Sequence, residues 1–516
     1  MTDSENIDTL CRLNPDVLLS VFEHSLPDGG LRSLSSSCRW IREETMPVLF
    51  RRCLVTVEEP ICADRFLPQS LWPYVYHLSL LDECPDRAAA RPHSWRKNQL
   101  HFTDDPLLCG TMDPEFLRTT LRAMPRLQSI SLDFMCQESH GLGWDSLAAV
   151  LSTPQLRSFT LAQFMFSPRH SLTTDSVECL APLTTFRHEQ RVLRGELRRF
   201  LSQEAALGVV IGKLRHTLEC LLLASEVAPF RTLMANQWPR LIELHLIGDY
   251  YPSPDSQIPF VTLFAEMPKL RVLKLELALH EYVGKQNLQL WPFDHEARFP
   301  WPDLIDLVVS FPSPEDRIYS HLPRSMRRLL LPCTPHHYFY SWKLHGLQHL
   351  HSPILYATEM LEILANVDAP HLDELRLEYR ADAAEDELLA CVAQRFPQLT
   401  SLEMHRFRSS AGSSVTATGI GLRLAKLENL LTLRLYDDAT PHSSFATLQQ
   451  NAAVIADKLA CPDVRLWLLQ VGNETLWYPF RLVAQQGIDE EPRVEVDPLG
   501  HSGVRVFPYD DTALYR

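Results

Sequence analysis

No apolar run in this 516-residue chain approaches the ~20 residues that a membrane-spanning helix needs. Catalytic signatures are missing as well: there is no phosphate loop of the GxxxxGKS/T type, no HExxH and no GxSxG. The 12 cysteines never form a CxxC pair, so neither a zinc finger nor a RING is expected. On this reading there is no catalytic residue, no cofactor and no metal ligand. Positive charge is in deficit, with 49 Lys+Arg against 64 Asp+Glu and a net charge of -15. A general nucleic-acid coat needs a concentrated basic surface to neutralise phosphates, so nucleic acid is not the expected partner. The opening MTDSENIDTL has neither the basic lead nor the apolar core of a signal peptide. Many cysteines lie in apolar runs such as LECLLL and ELLACVA and read as reduced, buried thiols. Cytoplasm or nucleus is the expected location.

What is present is the composition of a folded protein, 45% hydrophobic and 22% charged. The chain is too long for one ordinary core, which implies several domains or an array that grows by repetition.

Residues 10–56 read as a small helical module. In LNPDVLLSVFEHSL, Asn14 suits a helix cap and Pro15 the first helical position. Val17, Leu18, Val21 and Phe22 follow at helical spacing as an apolar stripe, and Pro27-Asp28-Gly29-Gly30 is strong turn chemistry. A second helix is expected from Leu31, with Leu34, Cys38 and Ile41 on one side, Trp40 beside them, and Pro47 separating a last turn.

The stretch from Leu13 to Phe50 resembles the F-box family. The helix through Leu18, Val21 and Phe22 matches the family pattern, as does the run Ser37-Cys38-Arg39-Trp40. The family's opening Leu-Pro is Asn14-Pro15 here, and the aromatic comes one place early. The resemblance implies docking on a Skp1-like adaptor and, through it, a cullin-RING ligase. It makes Pro15, Leu18, Leu19, Val21, Phe22, Leu34 and Trp40 the contact or core residues.

The rest of the chain repeats one phrase, LxxLxL, as in PRLQSISL, PQLRSFTL, PRLIELHL, PKLRVLKL, PDLIDLVV, PHLDELRL, PQLTSLEM and ENLLTLRL. Weaker copies are YVYHLSL, HTLECLLL, SMRRLLL, LQHLHS and PDVRLWLL, and a degenerate one at Leu183 and Phe186 fills the widest gap. Two apolar residues two apart point to one side of a strand, and the residue between them points to the other. Between copies lie amphipathic helix patterns, among them PEFLRTTLRAM, DSLAAVLS, ATEMLEILANV and EDELLACVAQRF. Most copies recur near the about 20–29-residue period of leucine-rich repeats, which the chain resembles. In place of the family's Asn or Cys after the strand, positions such as Asp249 stand, which implies irregular bends.

The expected fold is therefore α/β: the F-box-like module (10–56), a linker with a first atypical repeat (57–112), a leucine-rich-repeat-like array (113–480), and a cap or tail (481–516) in which Val494 and Val496 can close the sheet. Together these features resemble fungal-type F-box/leucine-rich-repeat proteins, which implies the substrate-recognition subunit of a ubiquitin ligase. A repeat scaffold without a ligase is the alternative.

The middle residue of each phrase marks the face open to a protein target: Ser131, Thr160, His245, Lys274, Val308, Arg376, Glu403 and Arg434. The strip is mixed in charge, which suits a complementary protein surface rather than an enclosed apolar pocket. Insertions at 81–112, 164–200, 247–260, 278–300 and 405–418 carry Trp95, Tyr250, Tyr251, Tyr282, Trp291 and Phe293, read either as hot spots or as lids over repeat edges. Arg87–Lys97 reads as a solvated loop or a docking patch. Cys333, His336, His337, His345, His349 and His351 read as turn and surface residues, and Glu385–Glu387 as acids at a helix start.

Overall fold

A computed structural model of the chain describes residues 13–25, 30–84, 102–103, 105, 107–134, 140–190, 202–250, 258–279, 289–332, 354–408, 415–437, 445–459, 464–470, 476–483, 493–496 and 504–505. It divides into two compact units, Met1–Thr232 and Leu233–Tyr515. Among the described residues no helix is long and apolar enough to cross a membrane.

The first unit opens with α1 (Pro15–Ser25), α2 (Gly30–Ser35) and α3 (Arg39–Leu49). Asn14 caps α1: its side-chain oxygen accepts the Asp16 N–H at 2.9 Å, and its carbonyl accepts the Leu18 N–H at 3.0 Å. Leu18, Phe22, Leu31 and Val48 form a small buried core, with Leu34, Trp40 and Leu49 packed against it. The stretch from Leu31 forms two helices rather than one. Cys38 is extended between them and caps α3, its sulfur accepting the Ile41 N–H at 3.5 Å. Pro47 does not separate α3 from a last turn. It lies inside the end of α3, where its missing N–H forfeits a single bond.

Eight strands follow among the described residues: β1 (Arg52–Val57), β2 (His77–Asp82), β3 (Ser129–Phe134), β4 (His140–Leu142), β5 (Ser158–Ala162), β6 (Phe164–Phe166), β7 (Thr185–Glu189) and β8 (Cys220–Ala224). β1, β2, β3, β5, β7 and β8 form one parallel ladder in that order, while β4 and β6 pair with each other. The ladder thus begins at Arg52, inside the stretch assigned to the helical module. The degenerate copy is a genuine repeat: β7 pairs on both sides, and Leu183 and Phe186 are fully buried. The return helices are α4 (Pro114–Arg122), α5 (Trp144–Leu151) and α6 (Ser202–Leu214). Asp113 starts α4 by accepting the Phe116 N–H at 2.7 Å, ahead of Pro114.

The second unit continues the same grammar. β9 (Glu243–Tyr250), β10 (Val272–Leu279), β11 (Asp306–Val309) and β12 (Arg328–Leu331) are parallel neighbours. The two-residue β13 (Leu355–Tyr356) lies against the end of β14 (Glu374–Ala381), and β15 (Ser401–Arg408), β16 (Thr432–Asp437) and β17 (Arg465–Gln470) complete the parallel run. β12 pairs directly with β14, Arg328 opposite Glu374, and the LQHLHS copy lies outside the described residues. Asp249 falls within β9 rather than in a turn after it. The returns are α7 (Phe260–Leu263), α8 (Ala357–Asn366), α9 (Glu385–Arg395), α10 (Ala417–Leu424) and α11 (Phe445–Lys458). Direction then reverses: β18 (Leu476–Val483) runs antiparallel to β17, to β19 (Arg493–Val496) and to β20 (Val504–Arg505). RVEVD thus supplies the closing strand, and the parallel array ends at Gln470, short of residue 480.

One hydrogen-bond device recurs at the start of nearly every repeat. In the first unit the Gln128 carbonyl accepts from Arg157 and Ser158 at 2.8 and 2.9 Å, and the Arg157 carbonyl from Thr184 and Thr185 at 2.8 and 3.0 Å. In the second unit the Ile242 carbonyl accepts from Arg271 and Val272, the Arg327 carbonyl from Asp373 and Glu374, and the Thr400 carbonyl from Leu431 and Thr432. One oxygen therefore takes two consecutive N–H groups of the next repeat, which satisfies backbone that would otherwise be orphaned at the turn. The leucines of the phrase are sealed behind it: Leu241, Leu244, Leu246, Leu270, Leu273 and Leu275 are all fully buried. The chain is a mixed α/β protein with a long parallel sheet, consistent with a leucine-rich-repeat-like fold.

Candidate interaction surface

Because side chains alternate along a strand, burying both leucines of each phrase turns the residue between them to the opposite face, although Val308, expected to be open there, and Leu222 are themselves buried. The register places these residues opposite one another, strand to strand. In the first unit the row is Leu54, Ser79, Ser131, Thr160, Arg187 and Leu222. In the second it is His245, Lys274, Val308, Leu330, Arg376, Glu403, Arg434 and Trp467. Every middle-of-phrase residue expected from sequence falls in one of these rows.

The second-unit row is laced to its neighbours by ion pairs. His245 lies 2.5 Å from Glu276, and the Lys274 ammonium 3.4 Å from Glu243. Two residues earlier along each strand and on the same face, Arg328 bridges Asp306 and Glu374, both at 2.8 Å. Glu403 is the hub: Arg376 approaches at 3.1 Å, His405 at 2.8 Å and Arg434 at 3.4 Å. The Arg434 guanidinium also stands 5.6 Å over the Trp467 ring. Burial pushes the Glu403 carboxyl up, but Arg376, His405 and Arg434 outweigh it and hold it well below the usual carboxylate range. Burial likewise opposes ionisation of Glu276, and His245, Arg376 and Lys274 pull it below its ordinary value. At Asp306 burial wins, and its carboxyl is raised despite Arg328 and Lys274. The surface is pre-set in charge and position, with Arg434 its most open cation at 45% side-chain exposure.

The N-terminal candidates separate into two sets. Leu18 and Phe22 are core, and Leu34 and Trp40 pack on that core. Leu19 and Val21 are exposed, as are Leu13 and Val17. Val17 and Val21 therefore do not share the buried stripe of Leu18 and Phe22. Val17 and Val21 lie four residues apart as an open apolar pair on α1, with Leu13 exposed just ahead of the helix. The side chain of Pro15 lies outside the described residues.

Of the insertion aromatics, Trp291 is buried, its indole N–H donating to the His295 carbonyl at 2.9 Å with Arg317 stacked 5.0 Å above, so it acts as a lid. Phe293 is 80% exposed. Trp95, Tyr251, Tyr282, the Tyr250 side chain, the Arg87–Lys97 stretch and the Cys333–His351 cluster lie outside the described residues. Segment 164–200 is less an insertion than a repeat, since it carries β6 and β7.

Two constellations were missed from sequence. Glu385, assigned to the helix dipole, is fully buried and takes Arg406 at 2.5 and 2.8 Å and the Tyr379 hydroxyl at 3.1 Å. Arg406 also donates to Asp437 at 3.2 Å and to the Val415 carbonyl at 2.9 Å. A basic residue two places after Met404, the last buried apolar residue of its phrase and so on the same inward face, was the available signal. The second constellation gathers Asp82, Cys84, Cys109 and His140, which no local spacing connects.

No family model matches the chain, and no curated protein matches it. Among solved structures, the leucine-rich-repeat-containing protein LegL7 from Legionella pneumophila aligns over 81% of this chain and 91% of its own, at 11% identity and a TM-score of 0.19. That score carries no structural argument, and the repeat assignment rests on the strand register and the recurring carbonyl device.

Proposed function

We propose that the protein is a non-catalytic adaptor whose second-unit strand row binds a target protein and whose N-terminal module docks on a Skp1-like adaptor of a cullin-RING ubiquitin ligase. The observation that carries the target-binding half is the register-matched row from His245 to Trp467, held in place by ion pairs and offering Arg376, Glu403, Arg434 and Trp467 side by side. Arg and Trp are the residue types on which binding energy concentrates. What supports the docking half is the F-box-like sequence of α1–α3 together with the exposed apolar pair Val17 and Val21 on α1 and the exposed Leu13 just before it. Held together by one chain, target and ligase meet at a high effective concentration, and the ubiquitin chemistry belongs to the partners.

The test measures binding of purified full-length protein to a Skp1-like adaptor by calorimetry, with Val17→Asp/Val21→Asp as the variant. Phe22 and Trp40 are unsuitable because they build the module core. Binding by the parent that the folded variant loses supports the adaptor reading. A folded parent that does not bind favours a repeat scaffold without a ligase. That second reading draws on Asn14, which stands where the family carries Leu and is already committed to capping α1.

A further inference from the structure

Asp82 is the last residue of β2 and is completely buried, and Cys84 follows two residues later at 2% exposure. Cys109 arrives from a separate segment that is tied to β4 by a pair of backbone bonds. Its N–H donates to the Gly141 carbonyl at 2.8 Å, and the Gly141 N–H returns to the Leu107 carbonyl at 2.8 Å. His140 opens β4, also completely buried, its ring stacked 4.7 Å from Phe134 at 21°. One donor atom from each of the four side chains lies within 4.8 Å of every other. Two glycines allow the convergence. A Cβ on Gly110 would fall 2.5 Å from the Phe102 carbonyl oxygen, and one on Gly141 would fall 2.5 Å from Pro168.

We propose that Asp82, Cys84, Cys109 and His140 form a structural zinc site. Two thiolates, one imidazole and one carboxylate are the donor set of a four-coordinate zinc. Hard cations such as magnesium and calcium favour all-oxygen shells and are poorly served here. Bonds of about 2.0–2.3 Å place tetrahedral donors about 3.3–3.8 Å apart. The Cys109 sulfur stands 3.0 Å and the His140 Nε2 3.9 Å from the same Asp82 oxygen, on either side of that spacing. The Thr111 hydroxyl donates to the other Asp82 oxygen at 3.0 Å, and the Cys84 N–H reaches it at 3.0 Å, so the carboxylate is aimed by groups that are not ligands.

The charge balance is simple. Zinc enters as a dication, each thiol gives up one proton to solvent, histidine binds neutral and aspartate as its anion. Two protons leave and the occupied site carries one net negative charge. Two thiolates beside the fully buried Asp82 carboxylate are unfavourable without a cation between them, and zinc supplies that cation. With all four positions filled by protein the site is closed, which suits a structural role: it would clamp the ends of β2 and β4 to the Cys109 segment. This reverses the sequence expectation that the cysteines are only buried hydrophobes.

The test is native mass spectrometry and cobalt titration of the reduced full-length protein. The expected result is one zinc per chain, with a mass gain of one zinc less two protons. Cobalt should give a thiolate charge-transfer band and intense tetrahedral d–d bands. Cys84→Ser and Cys109→Ser should each lose the charge-transfer band or weaken binding by more than tenfold. Cys62→Ser and Cys179→Ser, at exposed positions, should leave both unchanged. If a serine variant fails to fold, His140→Cys decides the matter, because a third thiolate should keep the metal and intensify the charge-transfer band. Three outcomes would overturn the proposal: reduced parent with no stoichiometric metal, a cobalt spectrum lacking thiolate bands, or a Cys84–Cys109 disulfide in freshly isolated protein.

Discussion

The two units present the same row of a repeat lattice with opposite chemistry. The first offers Ser79, Ser131 and Thr160 in succession, small and neutral, between Leu54 on one side and a single cation, Arg187, followed by Leu222 on the other. The second offers Lys274, Arg376, Glu403 and Arg434 within a net of ion pairs. Backbone register, buried leucines and the two-for-one carbonyl are shared, so the difference lies in the side chains that the fold leaves free to vary. A neutral row of hydroxyls gives a partner few directional anchors, whereas a row of alternating charges held by its neighbours specifies orientation. On the proposed reading, target recognition belongs to the second unit. It also makes that unit's stability the more dependent on charge.

The strongest way to break the comparison is at Arg406. It is 1% exposed and pairs with Glu385, Asp437 and the Val415 carbonyl. Arg406→Met removes the cation and strands a buried Glu385, a loss of about 3–5 kcal/mol. Thr160→Val on the open row of the first unit should change stability by no more than ~0.5 kcal/mol. Chemical denaturation of both variants measures the contrast, and equal losses would remove the claim that the second unit depends more on charge.

The pH dependence sharpens it next. Burial raises the Asp316 carboxyl from 3.8 to about 6, although the Ile318, Leu290 and Trp291 N–H groups all donate to it. A raised folded-state value gives stability that is fully present below the unfolded value of 3.8 and is lost as pH rises through 6. The size is on the order of 3 kcal/mol across that window. Relative to Asp316→Asn, the parent should lose about that much between pH 4 and 7 in denaturant midpoints. Glu403 acts in the opposite sense. Its folded value is depressed, so its contribution holds above 4.5 and disappears only as strong acid is approached.

Much of the fold was legible because leucine burial imposes a period. Leu244, Leu246, Leu375 and Leu377 are buried where the phrase places them, and even the degenerate copy at Leu183 and Phe186 built a ladder strand. β1 escaped because RCLVTV follows a helical run without the phrase's leading leucine. Val21 was misplaced because apolar residues on α1 lie both on the core face and beside it. The buried Arg406–Glu385 pair and the Asp82, Cys84, Cys109 and His140 group were illegible for a different reason. Their members come together through the stacking of repeats, and no local spacing records that contact.

A smaller effect tests whether the helical side of the second unit is as closely packed as its strand side is charged. A Cβ on Gly421 in α10 would stand 2.8 Å from the Ile455 carbonyl oxygen and 2.8 Å from the Lys458 Cβ on α11. Neither can turn away: the Ile455 oxygen is helix backbone, and the Lys458 Cβ is fixed by its own Cα. Gly421→Ala should therefore gain helix propensity of ~1 kcal/mol and lose more than that to the forced separation of α10 from α11, a net destabilisation of about 1–2 kcal/mol. Gly419 lies on the same helix and sees only the Val415 side chain at 3.3 Å and the Thr416 hydroxyl at 3.8 Å. Gly419→Ala keeps most of the propensity gain and should be neutral or stabilising. If both variants shift the denaturation midpoint in the same direction, helix propensity dominates at this interface and the α10–α11 approach is looser than its geometry implies.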